Sequence, residues 1–385
     1  MSIKLGDICT FQSGGTPSKG KPEFFNGSIP WITTTSLNGS QIDERDAVEW
    51  ITEEAIQNSA AKIVPAHSIM VGTRVGVGKV AVNTVDMSTS QDIISLLNID
   101  EKAWSKDFLC KYIQGRSAYL NSQARGATIK GIKIDVLANL EVPVFDLRKQ
   151  KRISEILDKV RLLIKAREQE LVNLDDLIKA RFVEIFGDLA DPACKWQKCK
   201  LVDACINPDD IKCGPFGTQL GKDEYTEEGV AVWEIPQINS EFRTSPTHFV
   251  TWKKAEELDA YSIIPGDIAM SRKGNVGRCA VFPRTFKNGI IHSDVLRIRL
   301  DELKALPEFM MRQLHYSGDV QHQIELVSSG AIMAGINVTK LKQIFVYLPP
   351  IDLQGEFATF VAQVDKSKLI AESTKFYQLQ YIFTS

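Results

Sequence analysis

The chain repeats itself at long range, and this restricts its fold more than any other feature. IVPAHSIMVGTRVGVGKVAV at 63–82 returns as IIPGDIAMSRKGNVGRCAV at 263–281. GATIKGIKIDVLANLEVPVFDL at 126–147 returns as GAIMAGINVTKLKQIFVYLPPIDL at 330–353. The offset is about 200 residues each time. Solenoid repeats are roughly 20 to 50 residues long, so this unit is a whole domain with a tail. Two diverged copies on one chain imply two similar tasks carried out at two places. A length of 385 residues has room for two or three ordinary domains.

The first copy is rich in short β-type runs separated by glycine and proline: SIPWITTTSL, AAKIVPAHSIMVG, KVAVNTV and DIISLLNI. Helical patterns are fewer, the clearest at 52–60 and 106–124. This predicts an α+β domain, with an antiparallel or mixed sheet and helices at one side.

The pattern then changes. From Lys149 to Phe186 there is neither glycine nor proline. Leu157, Ile164, Leu171, Ile178 and Ile185 recur every seven residues, matched by Ile153, Val160, Arg167, Leu174 and Arg181. That is a coiled-coil seam with two polar interruptions, where Arg167 and Arg181 would meet a partner carboxylate or solvent. Gly187 stands where a C-cap glycine ends a helix. At 1.5 Å per residue such a helix is roughly 55 Å long, more than one domain's core requires.

After the second copy, residues 351–385 are again free of proline, with a weaker stripe at Phe357, Phe360, Val361, Val364, Leu369 and Ala371. Two such helices would bury their seams against each other, antiparallel. The expected order is a domain at 1–148, a spacer helix at 149–187, a second domain at 188–350 and a second spacer helix at 351–385.

Several chemistries find no support. VGTRVGVGKV lacks the first glycine and the Ser/Thr of a P-loop, since Thr73 and Val80 occupy those places. The five histidines form no H-E-x-x-H, and there is no G-x-S-x-G or G-x-G-x-x-G. His315 and His322 lie seven apart on an expected helix, a spacing more typical of packing than of ligation. Asn207-Pro208-Asp209-Asp210 lacks the second proline and the aromatic ring of an amino-methyltransferase loop. Cys194, Cys199, Cys205 and Cys213 are spaced by five, six and eight, with no C-x-x-C pair, and read as reduced structural thiols. No apolar run reaches membrane-spanning length and the N-terminus has no secretory pattern, so a cytoplasmic protein is expected.

Three polar stretches invite a ligand. Thr73, Arg74 and Lys79 lie in a glycine-rich loop between β-type runs, and Arg272, Lys273, Asn275 and Arg278 do so in the second copy. Glycines let a backbone approach a ligand, and arginine forks onto phosphate or a guanine edge. The alternative is a tight hairpin with solvated charges; recurrence in both copies balances the two. Arg125, Lys130 and Lys133 make a second basic stretch, and its counterpart at 328–335 has no basic residue. Thr16, Lys19 and Lys21 make a third. A net charge of −2 argues against a basic coat but allows a local basic groove.

Taken in order, KLGDICTFQSGGTPS, SIPWITTTSL, VPAHSIMVGTRVGVGKV, GATIKGIKIDVLANLEVPV with DLRKQKRISEILDKVRLLI, and LDDLIKARFVEIFGD resemble the specificity subunit of type I restriction–modification enzymes. The resemblance covers the whole chain and rests on order and duplication rather than on any one strict motif. It implies two target recognition domains on two long helices, each domain reading half of a split DNA site. It implies methyltransferase and restriction subunits as partners, with S-adenosylmethionine, ATP and magnesium used by those partners and no cofactor or catalytic centre here. The ending YIFTS lacks a counterpart of RFVEIFGD, which puts partner docking on that side in doubt. A coiled-coil scaffold with two protein-binding heads and no DNA binding is the alternative.

Overall fold

The computed structural model describes residues 1–39, 41–126, 130–191, 193–328 and 335–384, with side chains described as far as residue 373. The chain forms two compact units, Met1–Ile164 and Lys165–Ser385. Their boundary falls inside one unbroken helix, Leu147–Phe186.

The repeat is visible as topology. In the first unit one sheet runs in the order Thr10–Ser13, Ile93–Leu97, Ile69–Gly72, Val80–Asn83, Gln41–Ile42. A second runs Glu49–Ile51, Phe25–Ile32, Met87–Thr89, Ile63–Val64. In the second unit the corresponding orders are Ile211–Cys213, Val295–Ile298, Ile268–Ser271, Cys279–Val281 and His248–Val250, Val230–Trp233, Gly289–Ile291, Ser262–Ile263. Each unit also pairs its first strand with its last, Ser2–Lys4 with Glu141–Pro143 and Gln197–Lys200 with Phe345–Leu348. The sheets are mixed: Trp31 pairs with Ser88, and Trp233 with Ile291, in parallel.

The first sheet of each unit is buried on both faces, which explains its nearly continuous apolar runs. Ile69 and Val71 pack with Phe108, Leu109 and Ile113, while Met70 faces Ile32, Leu37 and Ile42. Ile268 and Met270 pack in the same way on Met310, Met311 and Leu314.

Hydroxyl caps set the early helices. Thr52 Oγ1 accepts from the Ala55 amide at 3.2 Å, and Ser105 Oγ from the Phe108 amide at 3.3 Å. The stretch expected as one helix at 106–124 is two, Lys106–Gly115 and Ser117–Ser122, broken at Arg116. His315 and His322 likewise sit on separate helices, Pro307–Tyr316 and Gly318–Ser328, so they share no face.

Both units fix their long helix through a buried glutamine. Gln150 accepts from the Ser105 amide at 2.8 Å and donates to the Ala103 and Phe145 carbonyls. Gln354 accepts from the Leu306 amide at 2.8 Å and donates to the Lys304 and Pro349 carbonyls. Neither side chain reaches solvent, and each satisfies three backbone groups that burial would otherwise leave unpaired. Two cysteines repeat as well: the Cys9 and Cys205 thiols point to the carbonyls of Leu5 and Leu201. Burial pushes both up to about 12, so they behave as packing groups.

The long helix begins two residues earlier than expected and ends at Phe186, where Gly187 takes φ 76° and donates to the Val183 carbonyl. All ten seam positions are fully or partly buried, against exposed neighbours on the opposite side. Within the second unit the partner is the helix Ile351–Thr384. Arg181 bonds Glu356 at 2.5 Å and Asp175 bonds Lys368 at 2.5 Å, so the residue numbers run oppositely and the pairing is antiparallel. Arg181 thus finds its partner carboxylate across the seam, whereas Arg167 pairs with Glu170 on its own helix. The deepest contacts are aromatic. Phe182 and Phe186 interlock with Phe309 and Phe357, ring centroids 4.7–5.8 Å apart. In the first unit Ile153 and Leu157 instead face Phe108 and Tyr112 across a groove of about 300 Å³. No helix among the described residues is long and apolar enough to cross a membrane.

Candidate functional site

The glycine-rich loop is built alike in both units. In the first, the Gly72 amide donates to the Lys79 carbonyl and the Gly78 amide to the Gly72 carbonyl. In the second, Ser271 donates to Arg278 and Gly277 to Ser271. Gly78 and Gly277 take φ 81° and 86°, conformations that a side chain would strain. These bonds place Lys79 with Arg278, Arg74 with Lys273, and Thr73 with Arg272. The hydroxyl that precedes an arginine in each loop, Thr73 and Ser271, is therefore one position out of register between the copies. Ser271 belongs to the buried strand, and the loop cation of the second unit is Lys273.

The second polar stretch lies against the first as a strap. The Ile132 amide donates to the Thr73 carbonyl, and Arg74 bridges Gly131 in antiparallel fashion. The Ile336 amide donates to the Arg272 carbonyl, and Lys273 bridges Gly335. Gly131 is required here, because a Cβ would sit 2.6 Å from Arg74 Cγ. Two motifs separated by about 60 residues in sequence thus meet at the same point in each unit. Residues 127–129 and 329–334 of the strap lie outside the described residues.

In the first unit this junction opens a cleft of about 540 Å³, lined by Arg74, Gln123, Arg125, Gly131, Lys133 and Asp135. Arg74, Arg125, Lys130 and Lys133 are exposed. Three of these four cations converge on one cleft, an arrangement that suits successive phosphates. In the second unit Ser328 and Asn337 take the places of Arg125 and Lys133, so the same frame is less basic.

Other sequence candidates fall elsewhere. Arg272 is held rather than offered: its guanidinium donates to the Ile336 and Ser293 carbonyls and lies 4.8 Å over the Phe216 ring. Asn275 is exposed at the loop tip, and Lys79 is exposed at the foot of its loop. Arg278 turns to the Asn239 carbonyl and Glu241. Thr16 is exposed, Lys19 stands 3.9 Å from Glu49, and Lys21 lies over Phe24. Among the described residues no hydrogen bond or ion pair links those three to the Arg74 loop.

The structure adds residues that the reading of motifs missed. Thr73 donates its amide to the Asp92 carbonyl, as Arg272 does to Asp294. The carboxylates face the loop cations, Arg74 to Asp92 at 3.9 Å and Lys273 to Asp294 at 2.7 Å. The signal was in the repeat, SQDII at 90–94 against HSDVL at 292–296. In the second unit the network continues: the Asp294 amide donates to His292 Nδ1 at 3.2 Å, and Glu234 holds His248 at 2.7 Å. By the sheet register Thr33 stands where the second unit has Glu234. One frame therefore carries different chemistry in its two copies.

Below the second loop, His315 Nε2 accepts from the Cys279 amide at 3.2 Å. Burial, reinforced by Arg312 and Arg278, pushes this imidazole down to about 4. The unfolded chain takes up the proton first, so stability present near pH 7 is lost as pH falls from 6.5 towards 4. At about pH 4.5 the loss from this group is about 2–3 kcal/mol. His315→Gln should make the difference between urea unfolding near pH 7 and near pH 4.5 smaller by that amount; an unchanged difference would exclude His315 as the group.

Residues 1–173 match the family model of the type I restriction modification DNA specificity domain. The chain is 32% identical over 194 residues to the type I restriction enzyme EcoR124I/EcoR124II specificity subunit of Escherichia coli, covering 48% of this chain and 46% of that one. It is 26% identical over 186 residues to the MjaIX specificity subunit of Methanocaldococcus jannaschii, covering 48% and 43%. The chain thus spans about half the length of these curated relatives. Across 87% of this chain and 75% of the relative it is 21% identical to the EcoKI specificity subunit of Escherichia coli K12. Two solved chains share the fold over its full length. One is the type I restriction–modification S subunit from M. genitalium, with TM-score 0.55 and 15% identity, 94% of that chain being covered. The other comes from work on complex assembly and conformational transition of the type I R-M system, with TM-score 0.61 and 16% identity, again covering 94%.

Proposed function

We propose that this chain, a member of the specificity-subunit family of type I restriction–modification enzymes, reads a bipartite, asymmetric site on double-stranded DNA, one half with each unit. The observation that carries this reading is the duplicated loop-and-strap frame. Each copy sets a cation at the same point, Arg74 or Lys273, and surrounds it with different polar groups. Equal frames suit equal DNA backbones, and unequal side chains suit unequal base sequences. Phosphate contact needs local rather than overall positive charge, so a net charge of −2 is compatible with it.

In this reading the chain catalyses nothing and works in the cytoplasm. Methyl transfer with S-adenosylmethionine, and cleavage with ATP and magnesium, belong to partner subunits. The helices Leu147–Phe186 and Ile351–Thr384 serve as spacer and as docking surface for methyltransferase subunits. Titration of the full chain with duplex DNA over a range of salt tests the DNA reading. Affinity should fall steeply, the logarithm of the binding constant dropping by roughly 0.9 per phosphate contacted for each tenfold rise in salt. A chain that binds no duplex at low salt would be the scaffold with two protein-binding heads.

A further inference from the structure

We propose that Asp92 and Asp294 are specificity-determining positioning residues: each occupies its loop cation in the absence of DNA and thereby suppresses binding to DNA of the wrong sequence. The inference rests on the DNA reading above and goes further, since it assigns a role to carboxylates inside a site otherwise described by its cations.

Both aspartates stand just before the inner strand of their sheet, Ile93–Leu97 or Val295–Ile298. Both accept the loop's amide on the main-chain carbonyl and turn the carboxylate to the cation, that of Asp294 also lying 3.9 Å from His292 Nδ1. Lys273 Nζ lies 2.7 Å from Asp294 Oδ1, and Arg74 Nη1 lies 3.9 Å from Asp92 Oδ1. The same juxtaposition arises twice, although the cation differs between the copies and the loops differ in sequence.

Stability does not explain it. The Lys273 and Arg74 side chains are 44% and 54% exposed, and ion pairs that exposed contribute little to folding. The loop is already held by its own backbone bonds and by the strap. A carboxylate beside a phosphate-seeking cation does have a clear electrostatic effect on binding. A phosphate arriving at the cation also meets the carboxylate, and the cation must be drawn from one anion to the other. On any sequence this lowers the return from backbone contact, the term that dominates non-specific binding. On the right sequence, contacts to base edges draw the loop, and the cation with it, away from the carboxylate, so the penalty falls mainly on other sequences. Discrimination is thus gained from a repulsive element rather than from a tighter grip. The closer pair in the second unit should act more strongly than the looser pair in the first.

The test uses the full chain, Asp92→Asn, Asp294→Asn and the double variant. The amides keep size and shape and leave the main-chain bonds in place. Two probes are needed, a random duplex of about 30 base pairs and one carrying the recognised site, titrated between about 0.05 and 0.2 M salt. Asp294→Asn should bind the random duplex more tightly, with a salt dependence steeper by roughly one counterion. The ratio of affinities at the two ends of that range should then grow roughly threefold per freed cation. Affinity for the recognised duplex should rise less, so the specificity ratio falls. Asp294→Glu, which keeps the charge, should restore the parent behaviour. Random-duplex affinity unchanged in the amide variants would overturn the inference, and so would a loss confined to the recognised duplex, which would make the aspartates base readers. If the unaltered chain binds neither duplex, the DNA reading itself fails; if it binds and the variants match it, only this inference fails.

Discussion

Phe182→Ala is expected to destabilise the second unit by about 3–5 kcal/mol, the range for emptying a large buried aromatic site. Phe182 is 2% exposed and touches Phe186, Phe309, Phe357 and Tyr316. These rings come from the central helix, the helix Pro307–Tyr316 and the C-terminal helix, so one truncation loosens all three together. The cavity cannot be refilled easily, because the remaining rings are held by one another. Urea unfolding should show the loss, and amide exchange between residues 351 and 373 should rise above that of the sheets. Phe182→Leu should retain most of the stability. A cost below about 1 kcal/mol for the alanine variant would mean that the two helices are held together elsewhere.

The combined change of Arg74, Arg125 and Lys133 to Ala should weaken duplex binding by two to three orders of magnitude at about 0.1 M salt. Each cation that contacts a phosphate releases counterions, and three of them account for a slope of roughly 2.7. Discrimination between sequences should change much less than affinity, because cations that meet phosphates position a DNA backbone and carry no sequence information. The three line one cleft, and none is held by main-chain carbonyls as Arg272 is, although Arg74 lies 3.9 Å from Asp92. Folding should be unaffected, since all three are exposed. Anisotropy titrations at several salt concentrations separate the outcomes: an unchanged slope with unchanged affinity would leave the cleft without a role.

Much of this architecture was legible in the sequence because it depends on local pattern. The repeat, the β-type runs and the seven-residue seam all follow from periodicity, and the structure keeps Leu171, Leu174, Ile178 and Ile185 on the buried side. The breaks at Arg116 and Ser317 were passed over because apolar spacing continues through them, although a glycine, Gly115 or Gly318, stands beside each. Phe182 and Phe186 were passed over since they lie four apart and off the strict heptad, where a helix widens its apolar face to meet a domain. Gln150 and Gln354 look like ordinary polar residues until burial shows that each closes three backbone groups.

The site was half legible. Glycines and basic residues announced the loop and the strap, but nothing local says that Arg74 meets Gly131 or that Lys273 meets Gly335. Asp92 and Asp294 were readable only through the repeat. Arg272 was one of the candidate ligand groups and is bound to carbonyls, a role that depends on what folds around it.

The proposed function requires one chain to read two separated half-sites with two copies of one frame. Mapping methylated sequences in cells that carry this chain and its methyltransferase subunits tests it most directly. The expected motif has two specific blocks separated by unspecified base pairs. Changing Glu234 and His292 together, which lie in the second unit alone, should alter one block and leave the other as it was. A single uninterrupted motif, or both blocks altered together by that change, would contradict it.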